Sequence, residues 1–258
     1  MTEPVASTST AAVPESVRSR LAIALDVDDL VEARRIARDV SPWFGVAKVG
    51  LELYSATGPD AVTQLTEMGM AVFLDLKLHD IPTTVGKAAR VVGSLGARYL
   101  TMHAHGGPSM LRAGVEGLED GAARAGLPKP IGLGVTILTS DSGAPPHILG
   151  KRVQAALEGG CGGIVCAASD VAEAKQLAPR VVAVVPGIRL PGGDVHDQAR
   201  IATPTSAIDA GADVLVVGRA VTQAPDRAAA AAEMAQRVED ALASRNASGP
   251  GAAGEPAR

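Results

Sequence analysis

The chain has 258 residues, 47% hydrophobic and 20% charged, which is enough apolar material for one large α/β domain and excludes a disordered or fibrous chain. With 2 Phe, 2 Tyr and 1 Trp, it lacks an aromatic platform for stacking single-stranded nucleic acid. A net charge of −4 gives no basic field for DNA, RNA or an anionic membrane, so an anionic ligand has to be held locally.

In chain order, residues 1–18 are rich in Ala, Ser, Thr and Pro, and the tail 244–258 in Ala, Gly and Pro. Both are expected to be disordered, flanking a single domain over 19–243. Between them, short Val/Ile/Leu/Ala runs alternate with longer segments of helical periodicity, the pattern of βα units around a parallel sheet buried on both faces. Strands are predicted at Leu21–Val27, Val46–Gly50, Ala71–Leu76, Tyr99–His103, Ile131–Ile137, Gly163–Cys166, Val181–Val185 and Val214–Val217. Pro82-Thr83-Thr84 and Thr203-Pro204 mark helix starts, where proline's missing N–H does no harm. Gly69, Gly96, Gly126, Gly160 and Gly211 fall where a left-handed helix C-cap favours glycine. Eight such units in one domain fit a (β/α)8 TIM barrel better than an open doubly wound sheet.

Cys161 and Cys166 have no zinc-type spacing and form no disulfide framework, so both are expected to be reduced and buried. No apolar run approaches the ~18 residues of a membrane span, and the N-terminus lacks a signal-peptide pattern. A cytoplasmic protein is expected.

Barrel chemistry sits where strands end, on the C-terminal face. The polar residues there are Asp26, Lys48, Asp75, Lys77, His103, Thr136, Thr139, Arg189 and Arg219, with Pro186-Gly187 and Gly218 beside them. In Leu74-Asp75-Leu76-Lys77-Leu78, alternation puts Asp75 and Lys77 on the face toward the barrel mouth and the leucines toward the helices. A structural ion pair plugging the barrel is the competing reading. The added charge of Asp80, Lys48 and Asp26 favours a catalytic site, because a dense charge network is costly unless something uses it.

After the last strand, Gly218 permits close backbone approach and Arg219 supplies a forked cation for phosphate oxygens, although a plain C-cap with a solvated Arg would look the same. Gly192-Gly193 reads equally as a loop folding over the ligand and as a surface turn. Of the roles open to His103, orienting the ion network needs no further partner and is preferred to general acid or metal ligand. No histidine pair has metal-type spacing, no Gly-x-Ser-x-Gly elbow occurs, and neither a metal nor a covalent nucleophile is expected.

The segment Asp75-Leu-Lys77-Leu-His-Asp80-Ile81-Pro82-Thr-Thr84 resembles the Asp-x-Lys-x-x-Asp-Ile-Pro signature of the orotidine 5'-monophosphate decarboxylases. Ala24-Leu25-Asp26, Lys48-Val-Gly50, His103-Ala-His-Gly106-Gly107, Val135-Thr136, Pro186-Gly187-Ile-Arg189, Asp197-Gln198 and Gly218-Arg219 follow in the family's order, over residues 20 to 243. The resemblance implies cofactor-independent decarboxylation of orotidine 5'-monophosphate (OMP) to UMP and CO2, on a homodimer with shared active sites. It implies Lys77, Asp75, Lys48 and, from the partner, Asp80 as the catalytic network. Asp26 with Lys48 would bind ribose hydroxyls, and Ile81 and Thr84 of the neighbouring chain would close the ribose and base side. Thr139 would meet the pyrimidine and Pro186 would line the base pocket. Gln198, Gly218 and Arg219 would hold phosphate, with Arg189 among the substrate-binding positions. The rival within the superfamily is a Mg2+-dependent sugar-phosphate decarboxylase or aldolase. That chemistry needs a further carboxylate near the end of the second strand, and Glu52 is available but falls beyond the strand end.

Overall fold

Eight parallel strands close on themselves in sequence order: β1 (Leu21–Leu25), β2 (Val46–Val49), β3 (Ala71–Leu78), β4 (Tyr99–His103), β5 (Ile131–Val135), β6 (Gly163–Val165), β7 (Val182–Val185) and β8 (Val214–Val217), with β8 pairing β1. The structure, a computed structural model, describes residues 13–138, 141, 143–145, 147–190 and 201–247. The helices are α1 (Glu15–Arg18), α2 (Leu30–Val40), α3 (Leu51–Thr57), α4 (Asp60–Glu67), α5 (Pro82–Ser94), α6 (Gly107–Arg124), α7 (His147–Glu158), α8 (Val171–Leu177), α9 (Pro204–Asp209), α10 (Arg219–Thr222) and α11 (Arg227–Ala247). The expected (β/α)8 TIM barrel is therefore the observed fold.

Apart from the polar and charged residues of β2, β3 and β4, the strands are apolar because both faces are covered. One set of alternating residues, including Ala22, Val46, Phe73, Tyr99 and Leu133, fills the barrel interior. The other, including Leu21, Ile23, Leu25, Leu100 and Met102, packs beneath the helices. Phe73 and Tyr99 meet edge to face at 5.9 Å inside the barrel. Outside it, α5 and α6 approach backbone to backbone, since a Cβ at Gly117 or Gly121 would run into the carbonyls of Gly86 or Arg90.

Strands β4 and β8 span the predicted residues, whereas β1 and β5 stop two residues early and β3 runs two residues further. At the end of β5, the amide and the hydroxyl of Thr136 both donate to the Val165 carbonyl, at 3.0 and 2.9 Å, and the chain leaves the sheet there. All five glycines expected at helix ends have φ between +68° and +104°. Helix α5 begins at Pro82, and α9 begins behind a reciprocal Thr203/Ser206 capping box. Parts of the segments expected to be disordered are helical. Val17 of α1 is buried against the core, and α11 continues to Ala247, with Arg245 donating to the Ile208 carbonyl at 2.9 Å. Among the described residues, no helix is long and apolar enough to cross a membrane.

Candidate active site

Four charges of alternating sign run across the C-terminal mouth. Lys48 Nζ lies 2.9 Å from Asp26 Oδ1 and 3.9 Å from Asp75 Oδ2, and Lys77 Nζ donates to both Asp75 oxygens at 2.8 Å. Side-chain exposure falls from 61% at Asp26 to 10% at Lys48, then is 16% at Asp75 and 31% at Lys77. The inner pair thus needs its partners to offset desolvation, while Asp26 and Lys77 stay open to a ligand. Gly50 makes room for this arrangement, because a Cβ there would lie 3.2 Å from Lys48 Nζ and 3.3 Å from Asp26 Oδ1.

Asp75 and Lys77 do converge, but regular strand alternation is not how. Pairing between β3 and β4 runs Leu74↔Leu100 and then Leu78↔Met102, so four residues of one strand advance against two of the other. Within this bulge Lys77 has φ +49°, the one positive φ at a non-glycine among the described residues. A left-handed backbone costs an L-residue about 1–2 kcal/mol. The Lys77 amide finds its acceptor in a side chain, donating to Thr101 Oγ1 at 2.8 Å, and that hydroxyl donates to Asp75 Oδ1 at 3.0 Å. Leu74, Leu76 and Leu78 nevertheless pack toward the helices, the side the sequence pattern gave them.

These charges open onto a cavity of about 460 Å³. Phe73, Val135, Ile137, Val165, Pro186 and Val216 make its apolar wall. Gly187, Arg189, Gly218, Arg219, Thr222 and Gln223 line it where β7 and β8 end. Arg189 is buried there at 7% exposure and donates to the Ile188 carbonyl at 2.9 Å. Gly218 directly precedes the short helix α10, which puts the Arg219 backbone and side chain at the rim.

The structure thus gathers Asp26, Lys48, Asp75, Lys77, Pro186, Arg189, Gly218 and Arg219 around one cavity. It does not bring Asp80, Ile81 or Thr84 there. Asp80 Oδ1 accepts from the Ile81 amide at 2.6 Å, Ile81 is 66% exposed, and Thr84 is exposed on the first turn of α5. Thr139, Gln198 and the Gly192-Gly193 pair lie outside the described residues. Thr101, Thr222 and Gln223 were not anticipated from the sequence. Only Thr101 carries a signal that could have revealed it, a hydroxyl at an interior position of an otherwise apolar strand core.

His103 sits beside the network, its ring 5.7 Å from that of His79, which is in turn 5.6 Å from His105. Burial pushes its imidazole pKa below the usual value, and His79, Lys77, Arg152 and His105 add to that. This favours the neutral imidazole. Neither Cys161 nor Cys166 is in a disulfide and both are buried, as expected, and burial pushes the Cys161 thiol up to about 12, so it is no nucleophile.

A closed parallel barrel with a charged cavity at the C-terminal ends of its strands has the architecture of the barrel enzymes. Within that class, the chain belongs to the orotidine 5'-phosphate decarboxylase / HUMPS family, whose model matches residues 19–234. It is similar to the orotidine 5'-phosphate decarboxylase of Anaeromyxobacter dehalogenans, at 44% identity over 84% of this chain and 96% of that one. The enzyme of the same name from Moorella thermoacetica is 38% identical over 86% of this chain and 93% of its own. Among solved structures, the orotidine 5'-phosphate decarboxylase of Lactobacillus acidophilus superposes with a TM-score of 0.70 at 32% identity, covering 84% of this chain and 98% of that one.

Proposed function

We propose that the chain is an orotidine 5'-phosphate decarboxylase, converting OMP to UMP and CO2, with Lys77 as the group that stabilises and protonates the developing carbanion. The observation that carries this reading is the Lys77 ammonium, gripped by both oxygens of Asp75 at 2.8 Å yet open to the cavity. Loss of CO2 breaks the bond between C6 and the carboxyl carbon and leaves the electron pair on C6, in the ring plane, where conjugation cannot spread it. A fixed ammonium next to C6 stabilises that charge as it forms and costs no reorganisation. Lys77 then gives one proton to C6 and recovers it from water. Asp75 keeps the ammonium charged and aimed. Its own charge would also face the substrate carboxylate, a repulsion relieved as CO2 departs.

Asp26 and Lys48 would take ribose hydroxyls, Pro186 would cover the base, and Gly218 with Arg219 would hold the phosphate, with Arg189 a further substrate-binding residue; their common lining of one cavity supports this. Phosphate binding far from C6 would supply energy for assembling the site. Thr139 and Gln198 are assigned to the pyrimidine and the phosphate on the strength of the sequence resemblance alone. On this reading no cofactor is required. We also assign the exposed Asp80, Ile81 and Thr84 to a neighbouring chain's cavity in a homodimer, since their own chain's cavity does not include them. Two buried cysteines outside any disulfide fit a reducing compartment and hence the cytoplasm.

The family description also names HUMPS, but Glu52, the carboxylate a Mg2+-dependent sugar-phosphate enzyme would need, is exposed on α3 and does not line the cavity. The direct experiment is to add OMP to EDTA-dialysed protein and follow the pyrimidine absorbance. Conversion to UMP is the expected result. No turnover, or turnover that appears only with Mg2+, would overturn the proposal.

A further inference from the structure

We propose that Thr101 is a positioning residue for the decarboxylation proposed above, and the inference rests on that reading. Its hydroxyl selects the bulged backbone at Lys77 and, with it, the aim of the ammonium. In β4, Leu100 and Met102 face the helix layer, while Tyr99 faces the barrel interior. Alternation therefore turns Thr101 inward, to a level where barrels ordinarily place Val, Ile or Leu. Thr101 has the shape of valine, so the hydroxyl is what sets it apart.

That hydroxyl is fully buried, which is unfavourable unless it is hydrogen-bonded. It is satisfied in both directions, accepting from the Lys77 amide at 2.8 Å and donating to Asp75 Oδ1 at 3.0 Å. Both bonds land in the stretch where β3 leaves the regular ladder. One oxygen thus supplies the acceptor that the ladder would otherwise give the Lys77 amide, and it pins the carboxylate that grips the Lys77 ammonium. Backbone and side chain of Lys77 are held from the same point, although Thr101 does not line the cavity and need not touch substrate.

Valine at 101 keeps the shape and removes both bonds, whereas serine keeps the hydroxyl and drops only the methyl. In Thr101→Val, kcat should fall by about 10²-fold, the scale of an ångström-level misplacement, with KM little changed because the binding groups are elsewhere. Thr101→Ser should restore most of kcat. A valine variant with parental kcat, or a serine variant as slow as valine, would overturn the proposal. Should the valine variant fail to fold, the Thr101→Ala and Thr101→Ser pair decides on the same terms. If the parent itself does not turn over OMP, the functional reading has failed, and hydrogen exchange then tests Thr101 separately. Exchange of the Lys77 amide should speed up in Thr101→Val while that of Leu100 does not. Unchanged exchange at Lys77 would overturn the role of the hydroxyl.

Discussion

Replacing Lys77 separates the chemistry of its side chain from the cost of its backbone. Lys77→Ala and Lys77→Gly both remove the ion pair with Asp75 and the proposed proton donor, so both should be inactive to the same degree. Their stabilities should differ, because φ at this position is +49°. Alanine keeps a Cβ and with it a left-handed cost of about 1–2 kcal/mol, which glycine does not bear. Glycine loses more backbone entropy on folding, by about 0.5–1 kcal/mol. The first effect outweighs the second, leaving Lys77→Gly more stable than Lys77→Ala by roughly 0.5–1 kcal/mol. At about 2–4 °C per kcal/mol for a domain of this size, Tm should be about 1–4 °C higher for glycine, measured by thermal unfolding at matched pH and salt. An alanine variant equal to or more stable than glycine would refute the left-handed bulge, and with it the account of how Asp75 and Lys77 converge.

If Arg219 holds the substrate phosphate, Arg219→Ala should raise KM for the nucleotide strongly, while the phosphate-free nucleoside is handled alike by variant and parent; equal loss on both substrates would give Arg219 a structural role instead. If sites are shared across a two-fold dimer, Lys77→Ala and Asp80→Ala homodimers are each nearly inactive. An equimolar mixture, unfolded and refolded, should recover about a quarter of parental activity, since half the dimers are mixed and each has one intact site. No recovery from mixed dimers confirmed by native mass spectrometry would place Asp80 in its own chain's site. The lowered His103 pKa means that the unfolded chain takes up a proton near pH 6.5 that the folded chain resists, so stability is lost as pH falls below that value. His103→Asn should flatten the acid side of the Tm–pH curve, and an unchanged curve would show that His103 does not set it.

The fold was legible because the units carry local marks: apolar runs buried on both faces, a glycine at the helix end before five of the eight strands, and a proline or capping threonine at the starts of α5 and α9. Lys48, Asp75 and Lys77 were legible because charge in an apolar strand has few uses. What stayed hidden was the bulge. Its cause lies across the sheet in Thr101, 24 residues from Lys77, and period-2 alternation within one strand cannot reveal a pairing that advances by four against two. The helical turns at 15–18 and 244–247 escaped for a related reason, because composition argued for disorder while tertiary contacts by Val17 and Arg245 tie both ends to the barrel.

The most direct test of the central claim is single-turnover decarboxylation of OMP by EDTA-dialysed parent and Lys77→Ala protein, following CO2 and UMP together. The parent should release one CO2 per UMP formed without added metal. The variant should bind the nucleotide yet be slower by at least the ~10²- to 10⁴-fold typical of a positioned acid. A variant within tenfold of the parent, or one restored by Mg2+, would contradict the assignment of carbanion stabilisation and protonation to Lys77.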